Sequence, residues 1–167
     1  MIRRLRPTAG TAYQSDAPSV WWCVLTVPLV PEAVRQTRRD TAMALTGRVV
    51  PPDSVFGGTV LLVVSELVTN AVRHAARRSP TADVTLAVGE GELAVGVADR
   101  DPRLPDLSPG APGAGLRTVA GLVAGYGGSL TVERPARGPG KVVVVARFRL
   151  PEGMGPYGGR CTGGDGP

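Results

Sequence analysis

Cysteine is almost missing from this chain, with only Cys23 and Cys161 in 167 residues. Two cysteines that far apart supply neither a disulfide framework nor the clustered spacing of a zinc site, and a reduced, cytoplasmic compartment is the simplest expectation. Lysine is scarcer still, since Lys141 stands alone against eighteen arginines. Aromatic residues make up 4% of the chain, too few to interleave with cations as single-strand nucleic-acid binders require. No apolar run approaches the roughly 18 residues of a membrane span, and the first residues lack the continuous apolar core of a signal peptide, so no membrane association is expected. There is no GK[ST] P-loop, and the Gly-x-Gly at 113–115 follows no strand and has Thr118 where a dinucleotide fingerprint needs glycine.

What is present is a one-domain length with 43% apolar residues, enough for a single core. A net charge of +5 and a pI near 10.0 invite a nucleic-acid hypothesis. The cations are scattered, however, apart from Arg3, Arg4 and Arg6, which is the pattern of a solvated basic surface. Residues 1–18 are polar and aperiodic and read as a mobile arm, 19–150 as one domain, and 151–167 as a Gly/Pro-rich disordered tail.

Within the domain, the run VWWCVLTV at 20–27 reads as a strand between prolines. Pro31 suits the first position of a helix, and Val34, Thr37, Thr41 and Leu45 recur at helical spacing towards Gly47. A second helix is expected from an Asp53 N-cap to about Ala76, its first turns loosened by Gly57 and Gly58. Strands follow at 83–88 and 92–99, joined as a hairpin by Gly89-Glu90-Gly91. In the second of these, Leu93, Val95 and Val97 share a parity with Asp99, which period-2 geometry sends towards the core side. There it would be an acceptor suited to an exocyclic amine; the alternative is that the strand has ended and Asp99 turns to solvent, beside Arg100 or Arg103.

Residues 100–112 hold four prolines and form an irregular segment of the length often seen in lids. It ends in Gly113-Ala114-Gly115-Leu116, where a helix begins and runs to Gly125. Glycines opening a helix let backbone N–H groups approach an anion. Strands at 129–133 and 141–150 close the domain.

The most informative stretch is SELVTNAVRHA at 65–75. Glu66 and Asn70 are four apart and stack on one helix face, which Arg73 and His74 extend by a turn. From spacing alone, this strip is either a site or the solvated face of an amphipathic helix.

The string Glu66-x-x-x-Asn70-Ala71-x-Arg73-His74 resembles the N-box of the GHKL ATPases, and SELVTNAVRHA as a whole looks most like the branch of serine/threonine kinases that act as anti-sigma factors. Asp99 and Gly113-Ala114-Gly115-Leu116 resemble that family's G1 and G2 boxes, in the expected order. The resemblance implies a Bergerat ATP-binding fold: an α+β two-layer sandwich with a mixed, mainly antiparallel sheet of about five strands and three helices on one face. It implies ATP and Mg²⁺ as cofactors, Glu66 as general base, Asn70 as the Mg²⁺ ligand and Asp99 as acceptor of the adenine amine. Arg73, His74, Gly113, Gly115 and Leu116 complete the expected nucleotide contacts. By the same resemblance the partners are a sigma factor and an antagonist of the anti-anti-sigma kind, and the protein pairs with a second copy of itself. Two positions depart from the family pattern. Asp101 replaces the glycine of Asp-x-Gly, and Val142 stands where a threonine commonly lies beside the adenine aspartate. They leave a second reading in play, a non-catalytic binding module on the same fold; a basic nucleic-acid-associated protein is a third.

Overall fold

The computed structural model describes residues 21–46, 50–89, 91–105, 107, 114–134 and 142–154. In chain order the elements are β1 (Trp21–Pro28), α1 (Pro31–Leu45), α2 (Val55–His74), β2 (Thr81–Gly89), β3 (Glu92–Asp99), α3 (Ala114–Gly125), β4 (Ser129–Glu133) and β5 (Val142–Arg149). The strands form one five-stranded sheet in the order β1-β2-β3-β5-β4. Where the sequence reading allowed a mixed sheet, all four ladders are antiparallel.

Strand parity decides which side of the sheet the helices cover. Leu25, Val84, Val97 and Val144 lie opposite one another across four strands, and Leu86, Val95 and Ala146 form the next row. These side chains join Val60, Val64, Leu67 and Val68 of α2 and Leu116, Val119 and Val123 of α3 in one buried cluster. The opposite face has its own small cluster, Ala87, Ala94, Val143 and Val145. Both phenylalanines of the chain lie in the helix-side core, with Phe56 edge-on to Phe148 at 5.7 Å and to Tyr126 at 4.8 Å. Pairs of this geometry contribute about 0.5–1.5 kcal/mol each beyond their burial, and here they join the start of α2 to the end of α3 and to β5.

The helix boundaries carry two corrections. Ser54, not Asp53, is the N-cap of α2: its hydroxyl accepts from the Gly57 N–H at 3.0 Å, and the helix ends at His74 with Ala75 as its C-cap. Gly57 is a packing requirement rather than a weakness, since a Cβ there would lie 2.2 Å from the Pro51 carbonyl oxygen. The Pro51–Pro52 turn therefore lies directly on the first turn of the helix. On α1, Ala33 is buried in the stripe with Thr37, Thr41 and Leu45, while Val34 is half-buried. Contrary to the sequence reading of the membrane question, α2 is by length and composition alone apolar enough to span a membrane. Its position explains the composition: it is the central core helix, covered by the sheet on one side and flanked by α1 and α3.

The front of the expected disordered tail, residues 151–154, forms a turn, with Met154 against the core. Residues 1–20 and 155–167, which hold the rest of the expected arm and tail, lie outside the described residues.

Candidate functional site

Three elements converge on the SELVTNAVRHA strip. Glu66 and Asn70 are half-buried on α2, while Arg73 and His74 are exposed in its last turn. Neither the Glu66 carboxylate nor the Asn70 amide has a hydrogen-bond partner among the described residues. The first turn of α3 lies directly on Glu66, since a Cβ at Gly115 would stand 2.7 Å from Glu66 Oε2. The N-terminal end of a helix is thereby placed against a carboxylate, which an added Cβ at Gly115 would displace. Gly113 lies outside the described residues. Leu116 is 8% exposed and its side chain belongs to the core, so what it can offer a ligand is its backbone.

Asp99 is the last residue of β3 and pairs in register with Val142 of β5. It is half-buried, as parity required, and the position opposite it carries no hydroxyl. Burial pushes the Asp99 carboxyl above its ordinary value, against the lowering effect of the Asp101 N–H that donates to Oδ1 at 2.8 Å. Its other oxygen has no hydrogen-bond partner among the described residues.

Asp101, the residue in place of the family glycine, does not occupy the pocket as a free charge. It is 4% exposed, and its carboxylate accepts from Arg103 Nε at 3.0 and 3.1 Å, from Arg103 Nη2, and from the Arg103 N–H at 3.1 Å. The Arg78 guanidinium stands 3.5 Å away. The Arg103 guanidinium, bonded face to face with it, holds the Asp101 carboxyl well below the usual carboxylate range. Arg103 Nη2 also donates to the His74 carbonyl at 2.7 Å, and so reaches the last turn of α2.

The start of the 100–112 segment is therefore pinned rather than free as a lid would be. The Arg100 N–H donates to the buried Ser79 hydroxyl at 3.1 Å, and Arg134 Nη2 donates to the Pro102 carbonyl at 3.0 Å. Of the remainder, 106 and 108–112 lie outside the described residues. The ion pair that sequence reasoning considered for Asp99 forms at Asp101 instead. Asp101, Arg103, Arg78, Ser79 and Arg134 were not among the expected site residues. The available signal was the alternation Asp99-x-Asp101-x-Arg103 among prolines, because an Asp side chain readily accepts from the N–H two residues on.

A shallow open groove between α1 and α2 is lined by Pro31, Glu32, Val34, Arg35, Arg38 and Ser65, none of them an expected site residue. No cluster of metal-ligating His, Cys, Asp or Glu occurs among the described residues. Any cation held at the strip would use the Asn70 amide and the ligand's own oxygens, a donor set that suits Mg²⁺.

Residues 27–145 match the histidine kinase-like ATPase domain family. No curated protein matches the chain in sequence. Among solved structures, it is similar to the RsbU and RsbW domains of Rv1364c from Mycobacterium tuberculosis, with a TM-score of 0.56 and 20% identity over 78% of this chain and 33% of that one. This chain thus spans a third of the length of that structure, and the likeness is one of fold. It is also similar to the histidine kinase domain of a blue-light activated histidine kinase from Erythrobacter litoralis, with a TM-score of 0.48 and 26% identity over 85% of this chain and 66% of that one. The mycobacterial sensor histidine kinase MprB matches with a TM-score of 0.45 and 17% identity, over 79% of this chain and 99% of that one.

Proposed function

This chain belongs to the histidine kinase-like ATPase domain family, and on that premise we propose that it is a cytoplasmic protein that binds ATP with Mg²⁺ between α2, the end of β3 and the start of α3, and phosphorylates a serine or threonine of an anti-anti-sigma-type antagonist, with a sigma factor as its other partner. The observation that carries the reading is the placement of Glu66 and Asn70: both half-buried and without partners among the described residues, with the start of α3 so close to Glu66 that a Cβ at Gly115 would press on its carboxylate. A half-buried carboxylate and amide that bond to no other side chain add little to the stability of a core helix and stay open to a ligand.

Each residue then has a role suited to its chemistry. The Asp99 oxygen without a partner accepts from the adenine amine, and the Asn70 amide oxygen is a hard ligand for Mg²⁺. Gly115 and the N–H groups of the first turn of α3 receive phosphate oxygens, the exposed Arg73 extends positive charge along the strip, and His74 adds a ring N–H donor. Mg²⁺, when bound, neutralises charge on the phosphate oxygens. Glu66 accepts the proton of the substrate hydroxyl as that oxygen attacks the γ-phosphorus, and the bond from phosphorus to the bridging oxygen of ADP breaks.

The rival reading is a non-catalytic module gated by nucleotide, and Val142 is the observation in its favour, since it leaves the Asp99 site without a neighbouring hydroxyl. Transfer of labelled γ-phosphate to a purified antagonist, beside calorimetric titration with ATP, separates the two. Glu66→Ala is expected to keep ATP affinity within about tenfold while phosphotransfer falls roughly 10²- to 10⁴-fold. Tight ATP binding by the unmutated protein with no transfer to any antagonist would leave the module standing.

A further inference from the structure

Asp101 and Arg103 lie outside the roles just assigned, yet they make the densest set of polar contacts described in the molecule. Two turns are nested there. The Asp101 N–H closes on Asp99 Oδ1, and the Arg103 N–H closes on Asp101 Oδ1. The second turn is locked by the Arg103 side chain on the same carboxylate, and that guanidinium then reaches the His74 carbonyl at the end of α2. Chain atoms 29 residues apart are joined by one side chain. The helix tied down in this way carries Glu66 and Asn70, and the strand end tied down carries Asp99.

We propose that Asp101 and Arg103 are positioning residues for base recognition: together they form a clasp that commits one oxygen of Asp99 to the Asp101 N–H, leaves the other open for the exocyclic amine of the base, and fixes the distance between that oxygen and α2. The clasp takes the place of the glycine at position 101. A glycine would let the loop fold close to the base through its backbone, whereas this chain secures the loop by charge-assisted bonds to a planar guanidinium, whose forked donors fix orientation as well as distance. Asp101 is turned away into that guanidinium, so it adds no free negative charge beside Asp99. Two outside contacts brace the same loop without touching either carboxylate: the Ser79 hydroxyl under the Arg100 N–H and Arg134 on the Pro102 carbonyl.

This inference rests on the nucleotide reading and is tested so that the two can fail separately. Affinities for ATP and ITP, which differ in the exocyclic group that Asp99 would read, are measured by calorimetry for the unmutated protein, Arg103→Ala, Asp101→Ala, the double variant and Arg103→Lys, together with melting temperatures. The unmutated protein should prefer ATP. Each alanine variant should lose about tenfold or more of that preference, with ITP affinity changed by less than about threefold. The double variant should lose no more than either single one, because the pair acts as a unit. Arg103→Lys, which keeps the charge without the fork, should recover part of the preference. If the unmutated protein prefers ATP and the variants lower the melting temperature but weaken ATP and ITP equally, the clasp is merely structural and the inference is overturned while the nucleotide reading stands. If the unmutated protein binds both nucleotides alike, nucleotide binding stands and base positioning by the clasp is overturned; if it binds neither, the nucleotide reading fails and base positioning by the clasp fails with it.

Discussion

Replacing Gly115 by alanine tests the contact on which the site is built, because the substitution adds one methyl group and removes nothing. The new Cβ would stand 2.7 Å from Glu66 Oε2, while the Glu66 carboxyl carbon, at 3.8 Å, is already at ordinary contact distance. To regain ordinary contact the oxygen must withdraw by about 0.7 Å, which a rotation at the end of a flexible side chain accomplishes with little loss of stability. Alanine also favours the helix by up to about 1 kcal/mol over glycine, an effect reduced near the helix start. The melting temperature of Gly115→Ala should therefore stay within about 3 °C of the unmutated protein, given that 1 kcal/mol corresponds to about 2–4 °C at this size. The effect on chemistry should be much larger. Reacting groups must be held to about 0.5 Å, and a misplacement of about 1 Å can cost 10²-fold. Phosphotransfer should fall about 10- to 100-fold.

Two controls make the reasoning refutable. Gly121 lies on the same helix with nothing within 4 Å of its would-be Cβ, so Gly121→Ala should gain stability by about 0.5–1 kcal/mol without changing phosphotransfer. In a Glu66→Ala background the Gly115→Ala change should cost nothing further, because the group it displaces is gone. An undiminished rate in Gly115→Ala, or an equal further loss in the double variant, would show that the glycine does not act through Glu66.

Asn70→Ala should weaken Mg·ATP binding by more than tenfold and Mg-free ATP binding by less than about threefold; equal losses in the two titrations would make Asn70 a shaping residue only. Asp101→Asn tests the acid behaviour of the clasp. A carboxyl with a depressed folded-state pKa contributes stability above its unfolded value and loses it as the pH falls through the folded one. The melting-temperature gap between unmutated protein and variant should thus be largest near pH 7 and shrink from about pH 4 downward. Asp99, whose pKa is raised chiefly by burial and also by the Asp101 charge, acts in the opposite sense and less strongly in the variant, so it offsets part of the gap near pH 7. A gap independent of pH down to 2.5 would mean that the Asp101 charge contributes nothing. Thr41, fully buried on α1, has a hydroxyl without a hydrogen-bond partner among the described residues. Thr41→Val should therefore raise stability by about 1 kcal/mol, read as a higher urea midpoint at unchanged slope, and a lower midpoint would show that the hydroxyl is paired in solution.

How much of this was legible in the sequence depends on the range over which each feature is decided. The side of the sheet that Asp99 faces is decided by period 2 over a few residues, and counting from Leu93 was sufficient. The strip of α2 is decided by period 3.6, and Glu66 and Asn70, four apart, are both half-buried, with Glu66 under the start of α3. The N-cap was misplaced by one residue because Asp53 and Ser54 are both good caps. The choice falls to Ser54 through the Pro51–Pro52 turn, whose close approach also gives Gly57 a use that helix propensity counts only as a cost. The clasp lies at the other extreme. Asp101 read as a missing glycine, because local pattern contains the lost backbone freedom but not the guanidinium two residues on that bends back to meet it, nor the carbonyl of His74 that receives the same guanidinium. Whether an added carboxylate spoils a base pocket or helps to build it is a question of where its charge is neutralised. Here that happens inside the loop, so the departure from the family pattern at 101 is no argument against nucleotide binding. Only Val142, whose place opposite Asp99 is fixed by strand register, keeps that force.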